Sequence, residues 1–285
     1  MLFRSELTGL FWKNFKRLLT ESDLDHMHIL NLDLDFFLNS AVHHRADDIT
    51  VRPDDQGLVP WEADAVIRFL EDSLNLRSRR PGKVITHHDE VFFIWRDLLQ
   101  RDMLTSPFFV CHVDAHSDLG IGSLASIYLH SDFLELPLPQ RQYPKEGKEG
   151  IDFANYLSFA VGNRWISEID FIIPPFWWID IPFWLLPDEF INYPEAALRP
   201  ETQVRIELEL MHAPREKIES GVRFSKIRKS VDEPRVPLNI IAYKSLLHRY
   251  REVNWDFVFL SHSPGYAPTA SDALIPVIAP YIEAL

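Results

Sequence analysis

At 285 residues the chain has room for one large α/β domain or two small ones, and 46% hydrophobic content with 20 phenylalanines supplies a core that excludes a disordered or low-complexity protein. A formal net charge of -13 argues against nucleic acid as a partner; it suits solubility and would also draw a cationic ligand. One cysteine excludes an intramolecular disulfide and fits a reducing, cytoplasmic setting, and no apolar run reaches the length of a membrane span.

In chain order, Trp12, Lys13 and Lys16 interrupt the apolar residues of the N-terminus, which suits an amphipathic helix over 10–19 and not a signal peptide. Residues 28–34 alternate as a buried strand that ends at an Asp pair. After Pro60, the residues Val66, Ile67, Phe69, Leu70 and Leu74 fall at helical spacing, so 62–76 reads as a helix. Residues 84–86 read as a short strand and 89–100 as the helix behind it. Residues 107–113 form a strongly apolar strand, in which Cys111 is a buried, inert thiol. A helix over 152–162 and a strand over 169–173 follow.

Over 204–210, Val204, Ile206, Leu208 and Leu210 alternate with Arg205, Glu207 and Glu209. This pattern predicts a half-exposed strand, antiparallel to 222–227, as a β-hairpin insertion around 202–228. Residues 243–250 look helical, and 255–260 is a last buried strand leading into 261–266. No repeat or Gly/Ser-rich linker divides the chain, so a single domain over 1–285 is expected. Strands alternating with helices predict an α/β fold, a three-layer α/β/α sandwich around a mostly parallel sheet. Ligands of such folds sit beyond the carboxyl ends of the strands.

Three segments at those ends carry the chemistry: Leu32-Asp33-Leu34-Asp35, Thr86-His87-His88-Asp89-Glu90 and His112-Val113-Asp114-Ala115-His116-Ser117-Asp118. On an extended strand Asp33 and Asp35 point the same way, and two carboxylates on one face repel unless a cation lies between them. The structural alternative is that Asp35 has left the strand and caps a helix. Asp114, His116 and Asp118 continue the direction of an apolar strand. Three ionisable groups at a buried strand end are expensive without a metal, so metal binding outweighs a hydrogen-bonded turn there. Neighbours on a strand face opposite sides, so one of His87 and His88 is expected to be a ligand and the other to pack or support. Oxygen donors mixed with imidazole suit Mn²⁺, Fe²⁺ or Zn²⁺, and six ligands suffice for two ions that share carboxylates. The pattern is that of a binuclear metallohydrolase. His26, His43, His44, His130, His212 and His248 have no such setting and read as surface or structural histidines. The aromatic stretch with Trp177, Trp178 and Trp184 reads as a core loop or as a peptide-binding or subunit interface.

These residues resemble a known family. Val113-Asp114-Ala115-His116-Ser117-Asp118 is similar to the Asp-Ala-His-x-Asp signature of the arginase (ureohydrolase) superfamily, and Leu32-Asp33-Leu34-Asp35 to its Asp-x-Asp signature. His88 is similar to the single upstream histidine ligand. The chain looks most like the atypical peptide arginases, which convert arginine to ornithine in ribosomally made peptides. The likeness extends through 88–95, 111–119, 32–37 and the Ser-Pro-Gly-Tyr of 263–266. It implies an arginase-like sheet with permuted strand order, because here the Asp-x-Asp pair precedes the Asp-Ala-His-x-Asp segment.

The resemblance implies two Mn²⁺ per chain, although other divalent ions fit the same donors. One ion would take His88, Asp114, Asp118 and Asp33; the other would take His116 and Asp35 and share Asp114 and Asp33. Deacetylase-like enzymes of the superfamily use one Zn²⁺ and fewer ligands. The expected reaction is hydrolysis of the arginine guanidinium in a precursor peptide, giving ornithine and urea. The alternatives are a small-molecule ureohydrolase acting on agmatine or arginine, a deacetylase-type amidohydrolase, and a non-catalytic binding protein that keeps a metal. No segment resembles the clamp for the α-amino and α-carboxylate groups of free arginine, which favours a peptide substrate. Glu90 is the candidate partner of the guanidinium and His262 the candidate proton carrier. Trp177 and Trp178 are the candidate residues of a peptide groove. No nucleic-acid or membrane partner is expected, and a homo-oligomer is compatible with the sequence.

Overall fold

The computed structural model of the protein describes residues 26–42, 51–54, 57–120, 123–182, 185–187, 198–210, 228–229, 233–246 and 248–285. Ten strands are present among them: β1 (His28–Asp33), β2 (Arg80–Ile85), β3 (Phe108–Val113), β4 (Ile166–Ile173), β5 (Thr202–Ile206), β6 (Glu209–Leu210), β7 (Arg228–Lys229), β8 (Val236–Ala242), β9 (Phe257–Ser261) and β10 (Ile282–Ala284). Eight of them form one sheet in the order β10-β2-β9-β1-β3-β4-β8-β5. Every pairing is parallel except that of β5 with β8.

The alternation of the central strands sorts their side chains into two apolar layers. Ile29, Val110, Phe257 and Phe259 pack on one face, with Val91, Phe92, Trp95 and Leu98 of the helix Glu90–Gln100 and with Tyr156, Phe159 and Ala160 of the helix Tyr156–Gly162. Leu30, Leu32, Cys111, Val113, Val258 and Leu260 pack on the other, with Val66, Phe69 and Leu70 of the Ala63–Ser73 segment and with Leu274 and Ile278. A strand buried on both faces is apolar at most positions, which explains the hydrophobic run at 108–113, broken only by His112 next to the site. The result is a three-layer α/β/α fold with a mixed, mostly parallel sheet.

Several elements differ from expectation. The strand expected at 84–86 begins at Arg80, because Pro81-Gly82, a turn signal in sequence, here pairs with β9 and β10. A Cβ on Gly82 would stand 1.7 Å from the Val258 carbonyl oxygen, so only glycine lets β2 approach β9 there. The helix expected from 152 starts at Tyr156, since Asp152 and Asn155 form a turn: Asn155 Oδ1 accepts the Asp152 N–H at 2.9 Å. Among the described residues of 243–250 there is a 3-10 turn at Tyr243–Ser245 and a turn at 248–250.

The strand expected over 204–210 divides in two, and its expected partner at 222–227 lies outside the described residues. Thr202–Ile206 runs antiparallel to β8 at the edge of the main sheet, burying Val204 and Ile206 and exposing Arg205, while Glu209–Leu210 pairs with Arg228–Lys229. An alternating strand needs a ladder, and the open side of β8 supplies it. β8 had no counterpart in the sequence reading. Pro237 lies before the point where β8 pairs with β4, so its missing N–H costs that ladder nothing. The expected helix at 10–19, residues 222–227, His43, His44, His212 and Trp184 lie outside the described residues. No described helix is long and apolar enough to cross a membrane.

Candidate metal centre

The sheet register fixes where the site forms. β1 lies between β9 and β3, with Asp33 opposite Ser261 and Leu32 opposite Val113. The carboxyl ends of β1, β2, β3 and β9 therefore converge at one level, and the chain leaves each of them through a polar turn.

Asp33 closes β1 and caps the 3-10 turn Leu34–Phe37, its Oδ1 accepting the Asp35 N–H at 3.0 Å. Asp35 has thus left the strand, contrary to the expectation of two carboxylates on one face of it. The turn is held by complete burial of Leu34, Phe36 and Phe37, and it still aims both carboxylates into one cleft. Asp114, His116 and Asp118 also do not continue their strand. The chain bends after Val113, Asp114 Oδ1 accepts the His116 N–H at 2.8 Å, and Asp118 adopts a left-handed φ of 49°. His88 sits in the turn between β2 and the helix Glu90–Gln100, fully buried, whereas His87 is half-buried and lines no part of the cleft.

The six expected ligands Asp33, Asp35, His88, Asp114, His116 and Asp118 all line one cleft of about 190 Å³, with Gly120, Phe153, Ala154, Asp180, Ser263 and Tyr266. Around His88 Nδ1 stand Asp114 Oδ2 at 2.9 Å, Asp118 Oδ2 at 2.9 Å and Asp33 Oδ2 at 3.1 Å. Around His116 Nδ1 stand Asp35 Oδ2 at 2.8 Å and Asp114 Oδ1 at 3.7 Å. Asp114 faces both groups, one oxygen to each. A wider groove at Trp61, Phe69 and Tyr243 holds no comparable set of donors.

The donor set fits a divalent cation. One imidazole nitrogen carries at most one proton and cannot satisfy three carboxylates. Asp114 Oδ2 and Asp118 Oδ2 are buried and accept no hydrogen bond. His116 Nε2 lies 3.1 Å from the Val42 carbonyl, which can only accept, so in the neutral ring Nδ1 presents its lone pair toward Asp35. Among the described residues no lysine or arginine lines the cleft to offset its five carboxylates. Burial, with the charges of Asp33 and Asp114, pushes Asp35 well above the ordinary carboxylate range, and burial with Asp114 does the same to Asp118. Against the opposing effect of burial, Asp118 raises His88 and Asp35 raises His116. Without a cation the cluster can hold itself together only by taking up protons; a metal ion supplies the same neutralisation. The buried group of His88, His112, Asp114 and Asp118 could hold a metal ion, as could Asp35, Asp114 and His116.

His112 was not among the expected ligands, although a histidine inside an apolar strand, two residues before Asp114, was a visible signal. Its Nε2 is 3.4 Å from Asp114 Oδ2 and 3.1 Å from the His116 carbonyl. With its Nε2 proton donated to that carbonyl, His112 orients the ligand loop; with the other tautomer it presents a lone pair to the His88, Asp114 and Asp118 group. Burial lowers its pKa to about 4, and it stays neutral. Tyr156 backs the site: its hydroxyl accepts from Asn31 Nδ2 at 2.6 Å, and its ring packs 5.1 Å from that of His88. Ser263 donates to Asp33 Oδ2, and the Tyr266 ring lies 4.4 Å from that of His116.

The remaining candidates fall elsewhere. Glu90 Oε1 accepts the N–H groups of Thr86 and His87, both at 2.9 Å, so this carboxylate braces the turn that carries His88 and is not in the cleft. His262 Nε2 is 2.6 Å from Asp272 Oδ1, also outside the cleft lining. His262 and its neighbour Ser263 both follow the end of β9 at Ser261: His262 turns to Asp272, while Ser263, at a left-handed φ of 45°, reaches Asp33. Trp177 packs on Phe171 and donates to Asp180 Oδ1 at 3.2 Å, and Trp178 is exposed on the same segment; neither lines the cleft. No family model matches the chain, and no curated protein matches it.

Proposed function

We propose that the protein is a binuclear manganese hydrolase that cleaves the guanidinium group of arginine side chains in a precursor peptide, releasing urea and leaving ornithine. The observation that carries this reading is the Asp114 carboxylate, which faces one group of donors around His88 and a second around His116 in a single cleft. Two ions sharing a carboxylate are the chemistry such an arrangement serves. The resemblance of 32–37, 88–95 and 111–119 to peptide arginases supports the choice of metal and reaction.

His88, Asp33, Asp114 and Asp118 would hold one ion, and His116, Asp35, Asp114 and Asp33 the other. When bound, the ions supply a hydroxide nucleophile at neutral pH and Lewis acidity toward the substrate. The chain's own residues set the geometry. Ser263 and the Asp35 N–H fix the Asp33 carboxylate, and the Asn31–Tyr156 pair backs the imidazole of His88. Tyr266 and Phe153, with ring centroids 5.9 Å apart, wall the cleft and limit water. In the overall reaction water adds to the guanidinium carbon, the bond to the side-chain nitrogen breaks, and that nitrogen leaves as an ammonium while the carbon leaves as urea. A cleft of this size admits the end of a side chain, and Trp178, exposed on the segment that carries Asp180, offers surface for the flanking peptide. The single buried cysteine fits a reducing, cytoplasmic setting.

The test is mass spectrometry of an arginine-containing peptide incubated with the manganese-loaded protein. Each conversion removes one CH₂N₂ unit, with urea released in equal amount. Turnover of free arginine or agmatine with inert peptides would make the protein a small-molecule ureohydrolase. Activity confined to acyl-lysine would move it to deacetylase chemistry.

A further inference from the structure

We propose that Asp180 is the residue that selects a cationic substrate, its carboxylate pairing with the guanidinium as it enters the cleft. The inference rests on the hydrolase reading and names a specificity residue for it. Five carboxylates line the cleft; Asp33, Asp35, Asp114 and Asp118 lie in the ligand cluster, and Asp180 is the fifth. It follows β4, the neighbour of β3, and is exposed at the mouth.

Its position is set by two hydrogen bonds. Oδ2 accepts the N–H of Ser117 at 2.7 Å, and Oδ1 accepts Trp177 Nε1–H at 3.2 Å. Ser117 lies between the ligands His116 and Asp118, so the carboxylate is tied directly to the metal-binding loop. A carboxylate has about four acceptor sites, so Asp180 keeps capacity for an N–H donor beyond its bonds from Ser117 and Trp177. The surroundings add acceptors and no donor cation. A Cβ built on Gly120 would stand 3.6 Å and 3.8 Å from the carbonyl oxygens of Ala154 and Asp180, so two backbone acceptors flank that glycine. A planar group carrying five N–H donors and no acceptor is what such a rim binds, with the Phe153 and Tyr266 rings beside it. A neutral acyl-lysine amide would leave the carboxylate unpaired.

The test uses the full chain loaded with manganese, an arginine-containing peptide and its citrulline counterpart, which keeps the shape and loses the charge. Binding is read by fluorescence anisotropy and turnover by mass spectrometry. The wild type should bind the arginine peptide roughly tenfold or more tighter than the citrulline peptide. Asp180→Asn should abolish that preference and raise KM by roughly tenfold or more, with metal content and melting temperature unchanged, and Asp180→Glu should restore part of the preference. If Asp180→Asn keeps both preference and KM while the wild type converts the peptide, the inference fails and the hydrolase reading stands. If Asp180→Asn instead loses metal, the carboxylate supports the ligand loop and the inference fails. A wild type that takes up manganese yet neither binds nor converts arginine peptides overturns both.

Discussion

Asp114 offers one oxygen to each donor group, so Asp114→Ala removes a ligand from both at once. It should lower bound manganese below that of any variant of a residue confined to one group, such as Asp118→Ala; elemental analysis after gel filtration reads this directly. Comparable manganese in the two variants would refute the shared carboxylate. The two adjacent histidines make a sharper comparison. His88 is buried with three carboxylate oxygens around Nδ1, and His87 is half-buried outside the cleft. Changing His88 to Ala should cost metal and activity by orders of magnitude, on the roughly 10- to 100-fold scale of supporting residues or beyond. His87→Ala should leave both near wild type, and the reverse pattern would void the ligand assignment. The pair was legible in sequence, and the family resemblance chose His88, although strand alternation alone left the two equivalent. The structure separates them through the turn after β2 that Glu90 braces, a local bond that no periodicity reports.

At the scale of elements, two buried contacts hold the sheet that positions these ligands. β2 approaches β9 so closely that a Cβ at Gly82 would overlap the Val258 carbonyl. Gly82→Ala should destabilise the protein by roughly 3 kcal/mol, because backbone must move to relieve the overlap. Denaturant unfolding measures it, and a change within error would mean the strands can separate freely. On the other side of the sheet, Asp170 of β4 accepts from Arg249 Nε and Nη2, both at 2.6 Å, from Tyr250 Oη at 2.7 Å and from Asn239 Nδ2 at 2.7 Å. This network ties β4 and β8 to the turn at 248–250. Asp170→Asn removes the charge and should cost roughly 3 kcal/mol with metal content per folded chain unchanged. Loss of metal in that variant would show that the network reaches the site. The alternation at 204–206 announced a strand, yet its partner was decided by which ladder stood open, a property of the assembled sheet.

For the whole molecule, a cation that binds the folded chain and not the unfolded one adds stability by mass action. Manganese at a hundred times its dissociation constant should add about 2.7 kcal/mol, a rise in melting temperature of roughly 5 °C for a chain of this size. Calorimetry with and without a chelator reads the shift. The gain should shrink as pH falls. Asp35, Asp118, His88 and His116 all bind protons more tightly than usual in the folded chain, and those protons must leave before metal binds. An unchanged melting temperature at high manganese would show that the cluster is satisfied by protons alone.

The sequence by itself determined the strand ends that carry the chemistry and the three-layer class of fold. Apolar runs too continuous for a half-exposed sheet demand cover on both faces, and ionisable residues at the ends of such runs demand a common counter-charge. All six expected ligands meet in one cleft for that reason. Only the tertiary structure decided how they turn inward, through a 3-10 turn at Asp35 and a left-handed Asp118 where extended strands were expected. It also excluded Glu90 and His262 from the cleft, brought in Asp180 and Tyr266, and set His112 beside the His88 group. Those choices depend on contacts between residues far apart in the chain, Ser117 with Asp180, His116 with Tyr266 and Asp33 with Ser263, which exist only once parallel strands have been brought side by side.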